Sequence, residues 1–479
     1  MPNIDPQPSV TAIQHRAVAE LLRISPVADG LGAAFSAAGH ELALVGGSVR
    51  DALLGRLGED LDFATSARPD QTEQLIAPLA DAVWDIGREF GTIGARFGDL
   101  TCEITTYRSE TYDRDSRKPD VEYGNTLVGD LGRRDFTVNA MAVRLPEKNF
   151  VDAFGGVQDI VARRLMTPKS PHDSFDDDPL RMMRAARFAA QLEFEVAPEV
   201  VAAMKQMADR IAIVSAERVR DELSKLLLAR RPSAGLALLV ESGLAQHMVP
   251  ELPALQLEVD EHHHHKDVYE HSLTVLAQAI DLEAGEPDLT LRLAALLHDI
   301  GKPATRKFES GGGVSFHHHE VVGARLASKR MKALRYPKEI TQDVARLVEL
   351  HLRFHGYADG EWSDSAVRRY VRDAGPLLSR LHKLTRADCT TRNKRKAAAL
   401  ARAYDNLEER ISVLAEEEEL AAIRPDLDGN EIMAALDVPP GRIVGDAYKF
   451  LLELRLDRGP QSKEDATKAL QEWWQAKQG

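Results

Sequence analysis

Hydrophobic and polar positions along the chain change their period twice. Residues 1–40 carry an Ala/Leu-rich periodicity that predicts a helix. From about 41 to 165 short apolar runs between turn residues predict strands, among them Glu41–Val45 and Leu61–Ala64. A helical period over Asp70–Ala82 precedes a hairpin, Thr92–Phe97 and Thr101–Thr106, turning at Gly98-Asp99. After Pro179 the pattern stays helical, with loop punctuation near Gly285–Pro287, Gly311–Gly313 and Pro425–Gly429. The layout predicts an α+β fold, a head with a sheet followed by a long all-helical body. No repeat of fixed period and no long low-complexity tract is visible.

One stretch in the strand-rich region carries most of the chemistry. Leu44-Val45 runs into Gly46-Gly47, a helix-like segment Ser48-Val49-Arg50-Asp51 follows, and Glu59-Asp60-Leu61-Asp62-Phe63 then places two aspartates one residue apart. Side chains two apart on a strand share a face, so Asp60 and Asp62 project together while Leu61 and Phe63 face the core. Convergent carboxylates are hard oxygen ligands suited to Mg²⁺, which takes one or two carboxylates plus substrate phosphates. The glycines let backbone N–H groups approach an anion, and the helix start at Ser48 adds the positive end of a dipole. Turn chemistry explains a lone Gly-Gly, and a solvated strand explains lone alternating acids. In this order they predict phosphoryl or nucleotidyl transfer.

Three further blocks extend the set. Glu103 lies on the hairpin strand with Cys102 and Ile104 on the opposite face; it is either a third catalytic carboxylate or a surface glutamate. In Arg133-Arg134-Asp135-Phe136-Thr137-Val138-Asn139-Ala140 the paired arginines suit a triphosphate, because guanidinium forks bind phosphate bidentately. Asn139 and Asp135 would hold a ribose, unless Asp135 only caps a helix start. In Asp176-Asp177-Asp178-Pro179-Leu180-Arg181, Pro179 fits the first helical position with Asp178 as N-cap. Arg181 lies one turn on, so the pair can read a base edge. A carboxylate accepts from cytosine N4 or adenine N6 and is repelled by guanine O6 and uracil O4. With Gly46, Gly47, Arg50, Arg184 and Arg187, these residues form the candidate nucleotide-binding set.

Bulk properties narrow the class. A chain of 479 residues is too long for one core and predicts three or four domains. Its 44% hydrophobic and 28% charged content is ordinary for a globular protein. No apolar run approaches the ~18 residues of a membrane span, and Met1–Val10 has no secretory pattern. Two cysteines, Cys102 and Cys389, fit a reducing compartment, so the expected location is the cytoplasm, with no membrane partner. A net charge of −14 argues against nonspecific nucleic-acid binding. Basic clusters at Val321–Lys338 and Arg380–Lys396 nonetheless read equally as phosphate-tracking patches or solvated helix faces. His262–His265 reads as a polar loop able to scavenge metal, and Glu416–Glu419 as an exposed helix face.

Together these blocks resemble the class II nucleotidyltransferases, the bacterial CCA-adding enzymes and their poly(A) polymerase relatives, from about Leu44 to Leu228 and more weakly to the C-terminus. The resemblance implies an N-terminal helical segment at 1–40 and a small mixed-sheet head at 41–168. It further implies an elongated all-helical remainder: a neck with the base-reading motif at 169–231, a body at 232–390 and a tail for tRNA at 391–479. The family carries Glu-Asp before the base-reading helix, whereas position 177 here is aspartate; the reading pair still falls on Asp178 and Arg181. Tyr112–Gly129 matches the family's flexible loop. Glu217–Leu227 matches its fifth block, where Glu222 and Lys225 would pair on a helix surface. Arg424–Gly429 and Pro440–Gly445 resemble the C-terminal helices of some members. The implied activity is template-independent addition of C, C and A to the 3′ end of tRNA from CTP and ATP. Asp60 and Asp62 would hold two Mg²⁺ ions, with Glu103 assisting. A poly(A) polymerase or A-adding enzyme would carry the same residues. Downstream, His271, His298-Asp299, His319, His351 and Asp388 resemble an HD-type domain, which implies a divalent metal and an alternative activity as a phosphohydrolase.

Overall fold

The computed structural model describes residues 10–111, 120–124, 126–256, 268–309, 314–354, 362–391, 393–418 and 424–478. His262–His265, Gly311–Gly313 and residues 112–119 of the expected flexible loop lie outside them. The chain divides into two compact units, Met1–Pro250 and Glu251–Gly479.

The first unit is built on a seven-stranded mixed sheet: β1 (Leu42–Val45), β2 (Asp60–Thr65), β3 (Ala82–Gly87), β4 (Thr92–Phe97), β5 (Leu100–Thr106), then β8 (Met141–Leu145) and β9 (Asn149–Asp152). Its order is β3-β4-β5-β2-β1-β8-β9, antiparallel except for the parallel pair β2/β5. Between them β6 (Arg108–Thr111) and β7 (Asp120–Tyr123) form an antiparallel ribbon, so part of the segment expected to be a loop over Tyr112–Gly129 is instead a paired strand, and its end opens a helix at Leu127. Helices α1 (Val10–Ala37) and α3 (Pro69–Ile76) pack on the face made by Leu44, Leu61, Phe63, Ile93, Cys102 and Ile104, all essentially buried. Short α2 (Gly47–Leu53) follows β1 directly. α4 (Leu127–Gly132) closes part of the other face around Tyr107, Leu127 and Leu131.

The helix expected over Asp70–Ala82 stops at Ile76, and Ala82–Gly87 pairs with β4 instead. Pro78 is the reason: it lacks the N–H a helix interior needs, and the apolar run beyond it is free to join the sheet edge. After α5 (Gly156–Ala162) come α6 (Pro171–Asp177), α7 (Leu180–Leu192), α8 (Pro198–Met207), α9 (Ala216–Leu227), α10 (Ser233–Glu241) and α11 (Leu244–Met248). Pro179 has helical φ, and the Asp178 carboxylate accepts the Leu180 N–H at 3.1 Å, so Asp178 caps α7 as expected.

The second unit is helical. α12 (Val268–Asp281), α13 (Leu289–Leu297), short α14 (Lys302–Thr305), α15 (His319–Ala333), α16 (Lys338–Leu350), α17 (Asp364–Ala374) and α18 (Leu378–Asp388) are followed by the long α19 (Lys394–Glu418). α15 and α16 pack against each other, and α13 packs on both α12 and α16. The last three helices, α20 (Gly429–Leu436), α21 (Arg442–Arg458) and α22 (Lys463–Gln478), share a core of Leu427, Ile432, Leu451 and Leu470. Among the described residues no helix is long and apolar enough to cross a membrane.

Candidate active site

β2 alternates exposed and buried residues, which puts Asp60 and Asp62 on the open face and Leu61 and Phe63 inside. Parallel pairing sets Asp62 directly beside Glu103 and Asp60 beside Thr101, so three carboxylates stand on one face of two neighbouring strands. Ser48 fixes the strand against α2, its hydroxyl accepting the Asp62 N–H at 2.8 Å. The Asp62 side chain is open to the cleft, yet the chain around it displaces enough water to raise its carboxyl; Asp60 and Asp51 add to the rise, and Arg134 and Arg50 oppose it. Glu103 is raised by burial and by Asp62 and Asp60. Such mutually repelling acids suit a divalent cation, which relieves the repulsion.

A cavity of about 480 Å³ opens beside Asp62. Its lining includes seven arginines, at 50, 108, 133, 134, 181, 184 and 187, against three aspartates, Asp62, Asp135 and Asp178. Gly46 forms the floor with φ of 68°, where a side chain would be strained. A Cβ there would meet Nη1 of Arg134 at 2.5 Å. Asp60 stands at the edge and does not line the cavity.

Each arginine is held by a partner. Both oxygens of buried Asp130 are taken, one by Nε and Nη2 of Arg133 at 3.0 and 2.6 Å, the other by Nη2 of Arg134 at 3.1 Å. Burial opposes ionisation of Asp130, but the two guanidiniums outweigh it and hold the carboxyl low. Asp135 accepts Nε of Arg184 at 2.7 Å, with Nη2 in ion-pair contact at 2.5 Å with the same oxygen, and it also accepts the Asn139 amide at 2.9 Å and the Phe136 N–H at 2.8 Å. Although burial acts against it, these partners bring its carboxyl down to about 2. Asn139 in turn accepts Nη1 of Arg50 at 2.6 Å. Asp135 thus lines the cavity with both oxygens engaged and with Arg184 held against it.

Arg181 donates to the Ser174 hydroxyl at 3.0 Å and to the Arg133 carbonyl at 2.5 Å, and Arg218 donates to Asp178 at 2.8 Å. Arg187 donates to Glu222 at 2.6 Å across α7 and α9. Glu222 therefore does not pair with Lys225 as expected; it turns inward because a buried guanidinium on α7 needs a counter-charge more than an exposed lysine does. The Phe188 ring packs against three guanidiniums, with carbons of Arg187, Arg50 and Arg184 at 4.1, 5.2 and 5.6 Å from its centroid. Sequence reasoning missed Arg108, Asp130 and Phe188. Asp130 was recoverable from its spacing of three and four to the paired arginines.

The second unit holds a separate cluster. Nε2 of His271 lies 2.9 Å from Asp388, and Nε2 of His298 lies 3.2 Å from Asp299. His319 and His351 approach the other Asp299 oxygen at 3.3 and 3.9 Å. Donor atoms of His271, His298 and Asp388 lie within 4.8 Å of one another, as do those of Asp299, His319 and His351. Nδ1 of His298, His319 and His351 each faces a backbone carbonyl, at 2.9, 2.8 and 2.6 Å, and Nδ1 of His271 faces the Thr390 hydroxyl at 3.2 Å. Those contacts leave every Nε2 aimed at the carboxylates, the arrangement that orients metal-binding imidazoles. Nε2 of His319 and of His351 is buried with no hydrogen-bond partner, so the donor set fits divalent metal. Despite burial, the adjacent acids raise His298 to about 9, whereas burial and His298 lower His351 to about 4. Both carboxylates of the cluster, Asp299 and Asp388, are held low.

Comparison with known proteins agrees with this division. A family model described as the poly A polymerase head domain matches residues 42–166. One described as a probable RNA and SrmB-binding site of polymerase A matches 193–255, and an HD domain model matches 268–393. The A-adding tRNA nucleotidyltransferase of Deinococcus radiodurans is 34% identical over 438 residues, covering 90% of this chain and 95% of that protein. The CC-adding tRNA nucleotidyltransferase of Thermus thermophilus is 33% identical over 439 residues, covering 90% and 93%. The crystal structure of the Bacillus stearothermophilus CCA-adding enzyme with CTP superposes with a TM-score of 0.69 at 22% identity, covering 96% and 98% of the two chains. The chain belongs to the tRNA nucleotidyltransferase and poly(A) polymerase family, with an HD-type domain following its head.

Proposed function

We propose that this protein transfers CMP and AMP from CTP and ATP to the 3′ end of tRNA without a nucleic-acid template, completing the CCA end. The observation that carries the reading is the arginine-lined cleft set directly against Asp62, next to Glu103: a polyanion site and an acidic cation site share one wall. Asp60 and Asp62, with Glu103, would hold two Mg²⁺ ions. When bound, these supply Lewis-acid stabilisation of the phosphates and favour ionisation of the attacking hydroxyl. Gly46 and Gly47 keep the floor open, and Arg50, Arg133 and Arg134 receive the triphosphate. Asp178 and Arg181 select the base, the carboxylate accepting an exocyclic amine and the guanidinium donating beside it, which admits C and A. Arg184 and Arg187 line the same wall; Asp135, Asn139 and Glu222 hold arginines in place. The acceptor region of the tRNA would lie along the helices that follow the head, and unpaired Cys102 and Cys389 suit the cytoplasm.

A narrower activity, addition of A alone, is the alternative: one relative matched over 90% of this chain, at 34% identity, is an A-adding enzyme, while a CC-adding relative matches over the same 90% at 33%. Offering transcripts that end before CCA, after C and after CC, with all four nucleotides, decides between them. CCA completion extends all three to one defined end; A addition extends only the last, and a poly(A) polymerase gives an open ladder.

The six ligands of the second unit support an additional metal-dependent phosphohydrolase. His271, His298 and Asp388, and Asp299, His319 and His351, would hold the metal, which supplies an activated water for phosphoester hydrolysis. Asp299→Ala should remove cleavage and leave nucleotide incorporation intact.

A further inference from the structure

The carboxylate face of the sheet continues past Glu103 to its edge. The register sets Asp62 beside Glu103, Glu103 beside Gly94 and Gly94 beside Trp84, so the four stand in one row on one face. Gly94 contributes no side chain, and Trp84 fills the room. A Cβ on Gly94 would meet Nε1 and Cε2 of the indole at 2.5 and 2.6 Å and Cδ1 of Ile86 at 2.7 Å. The indole therefore lies across the Gly94 backbone, one strand from Glu103. Both it and Ile86 remain open, at 38% and 45% exposure, while the opposite side of these strands is buried through Ile93, Ala95, Cys102 and Ile104.

An aromatic laid over a glycine at a sheet edge has a structural use, since it restores the cross-strand contact the glycine lacks. That use does not require an indole, nor an open isoleucine beside it. The two flanks of the carboxylates explain the choice better. The arginine-lined cavity takes up the β1 side of Asp62, bounded by Gly46 and Arg134, and reaches across only to Thr105 near the end of β5 and Arg108 beyond it, with no residue of β3 or β4 in its lining. A nucleoside triphosphate bound there leaves the β4 and β3 flank for the acceptor strand, whose 3′-hydroxyl must reach the α-phosphorus beside Asp62 and Glu103. An acceptor terminus on that flank brings its last base over Trp84. Stacking on an aromatic tolerates every base, because every base has a π face. That property suits an acceptor whose terminal base changes after each addition.

We propose that Trp84, seated by Gly94 and flanked by Ile86, is the stacking platform for the 3′-terminal base of the RNA acceptor. The assignment rests on the nucleotidyl-transfer reading above. It is tested by steady-state incorporation of labelled nucleotide into a 3′-truncated tRNA transcript, using Trp84→Leu, Trp84→Phe and Gly94→Ala in the full chain. Leucine still covers Gly94 but has no π face. Its expected effect is a rise of about ten- to a hundredfold in KM for the transcript, with KM for CTP and ATP held within about twofold. Phenylalanine should recover most of the loss. Gly94→Ala, which displaces the indole from its seat, should raise the transcript KM in the same direction. A transcript KM for Trp84→Leu within about twofold of the parent overturns the assignment and leaves the indole as edge packing. Failure of the parent chain to incorporate any nucleotide overturns the transfer reading instead, so the two failures are distinct.

Discussion

Asp135 and Arg184 meet through a hydrogen bond of 2.7 Å and an ion-pair contact of 2.5 Å to the same carboxylate oxygen, which tie the head to α7. The pair is buried on the aspartate side, and its carboxyl lies at about 2, against an ordinary value near 4. A depressed carboxyl contributes stability above its unfolded pKa and loses it as pH falls through the folded one. The contribution, about 2 kcal/mol, should be complete above about pH 4 and drain away toward pH 2. Asp135→Asn should remove that acid limb from a plot of unfolding free energy against pH. It should also raise KM for CTP and ATP, because Arg184 and, through Asn139, Arg50 lose their anchor. An unchanged acid limb in urea titrations would contradict this account.

Asp62→Asn should separate folding from catalysis. Its carboxyl and that of Glu103 both titrate above the ordinary range, so ionising them costs the folded state a little stability. Removing one charge should leave the melting temperature unchanged or slightly higher. Incorporation of CMP and AMP should fall about a thousandfold or more, the loss expected when a metal-binding carboxylate is removed. Millimolar Mg²⁺ with CTP should raise the melting temperature of the parent and not of the variant, a comparison that differential scanning calorimetry makes directly.

These two carboxylates also mark how far the sequence could be read. Alternation in β2 placed Asp60 and Asp62 on one face without knowledge of any partner strand, because a period of two is local. The neighbour of Asp62 across the sheet is a matter of register and parallel pairing, so Glu103 became an alternative there rather than a certainty. The arginines stood out in the sequence as candidate phosphate ligands, but their anchors did not: Glu222 is 35 residues from Arg187 and Asp135 is 49 from Arg184, distances at which no helical spacing applies. The helix at Asp70 was overextended because its apolar positions continue past Pro78 into a strand. The six HD-type ligands spread over helices and turns from His271 to Asp388, so only the His298-Asp299 pair was local enough to stand out unaided.

Metal removal should act on the two units independently. Treatment with a chelator followed by excess Mg²⁺ alone should restore nucleotide incorporation if the head needs nothing from the second unit. Titrating Mn²⁺, Ni²⁺ or Zn²⁺ into the stripped protein should then raise the melting temperature, because Nε2 of His319 and of His351 gains a partner it lacks. A metal at 100 times its dissociation constant stabilises by about 2.7 kcal/mol. His351→Ala should lose most of that increment while incorporating CMP and AMP normally. Equal metal-induced shifts in the parent and in this variant would remove His351 from the ligand set.

The pairing of Arg187 with Glu222 makes the most specific claim about how the helices after the head support nucleotide binding. Both side chains are nearly buried, at 11% and 6% exposure, and their contact joins α7 to α9. Burial lowers the Arg187 pKa even with Glu222 beside it, so the guanidinium is already costly to keep charged there. Removing the acid alone, as in Glu222→Ala, strands that charge and should destabilise the unit by about 3 kcal/mol or more. Replacing both, as in Arg187→Met with Glu222→Leu, removes charge and counter-charge together and should restore most of the stability. It should not restore function, because Arg187 lines the cleft and supports Phe188, whose ring also carries Arg50 and Arg184. The double variant is therefore expected to melt near the parent and to show a raised KM for both nucleotides. Recovery of stability and of nucleotide KM together would mean the pair only holds two helices, and that the cleft binds triphosphate without Arg187.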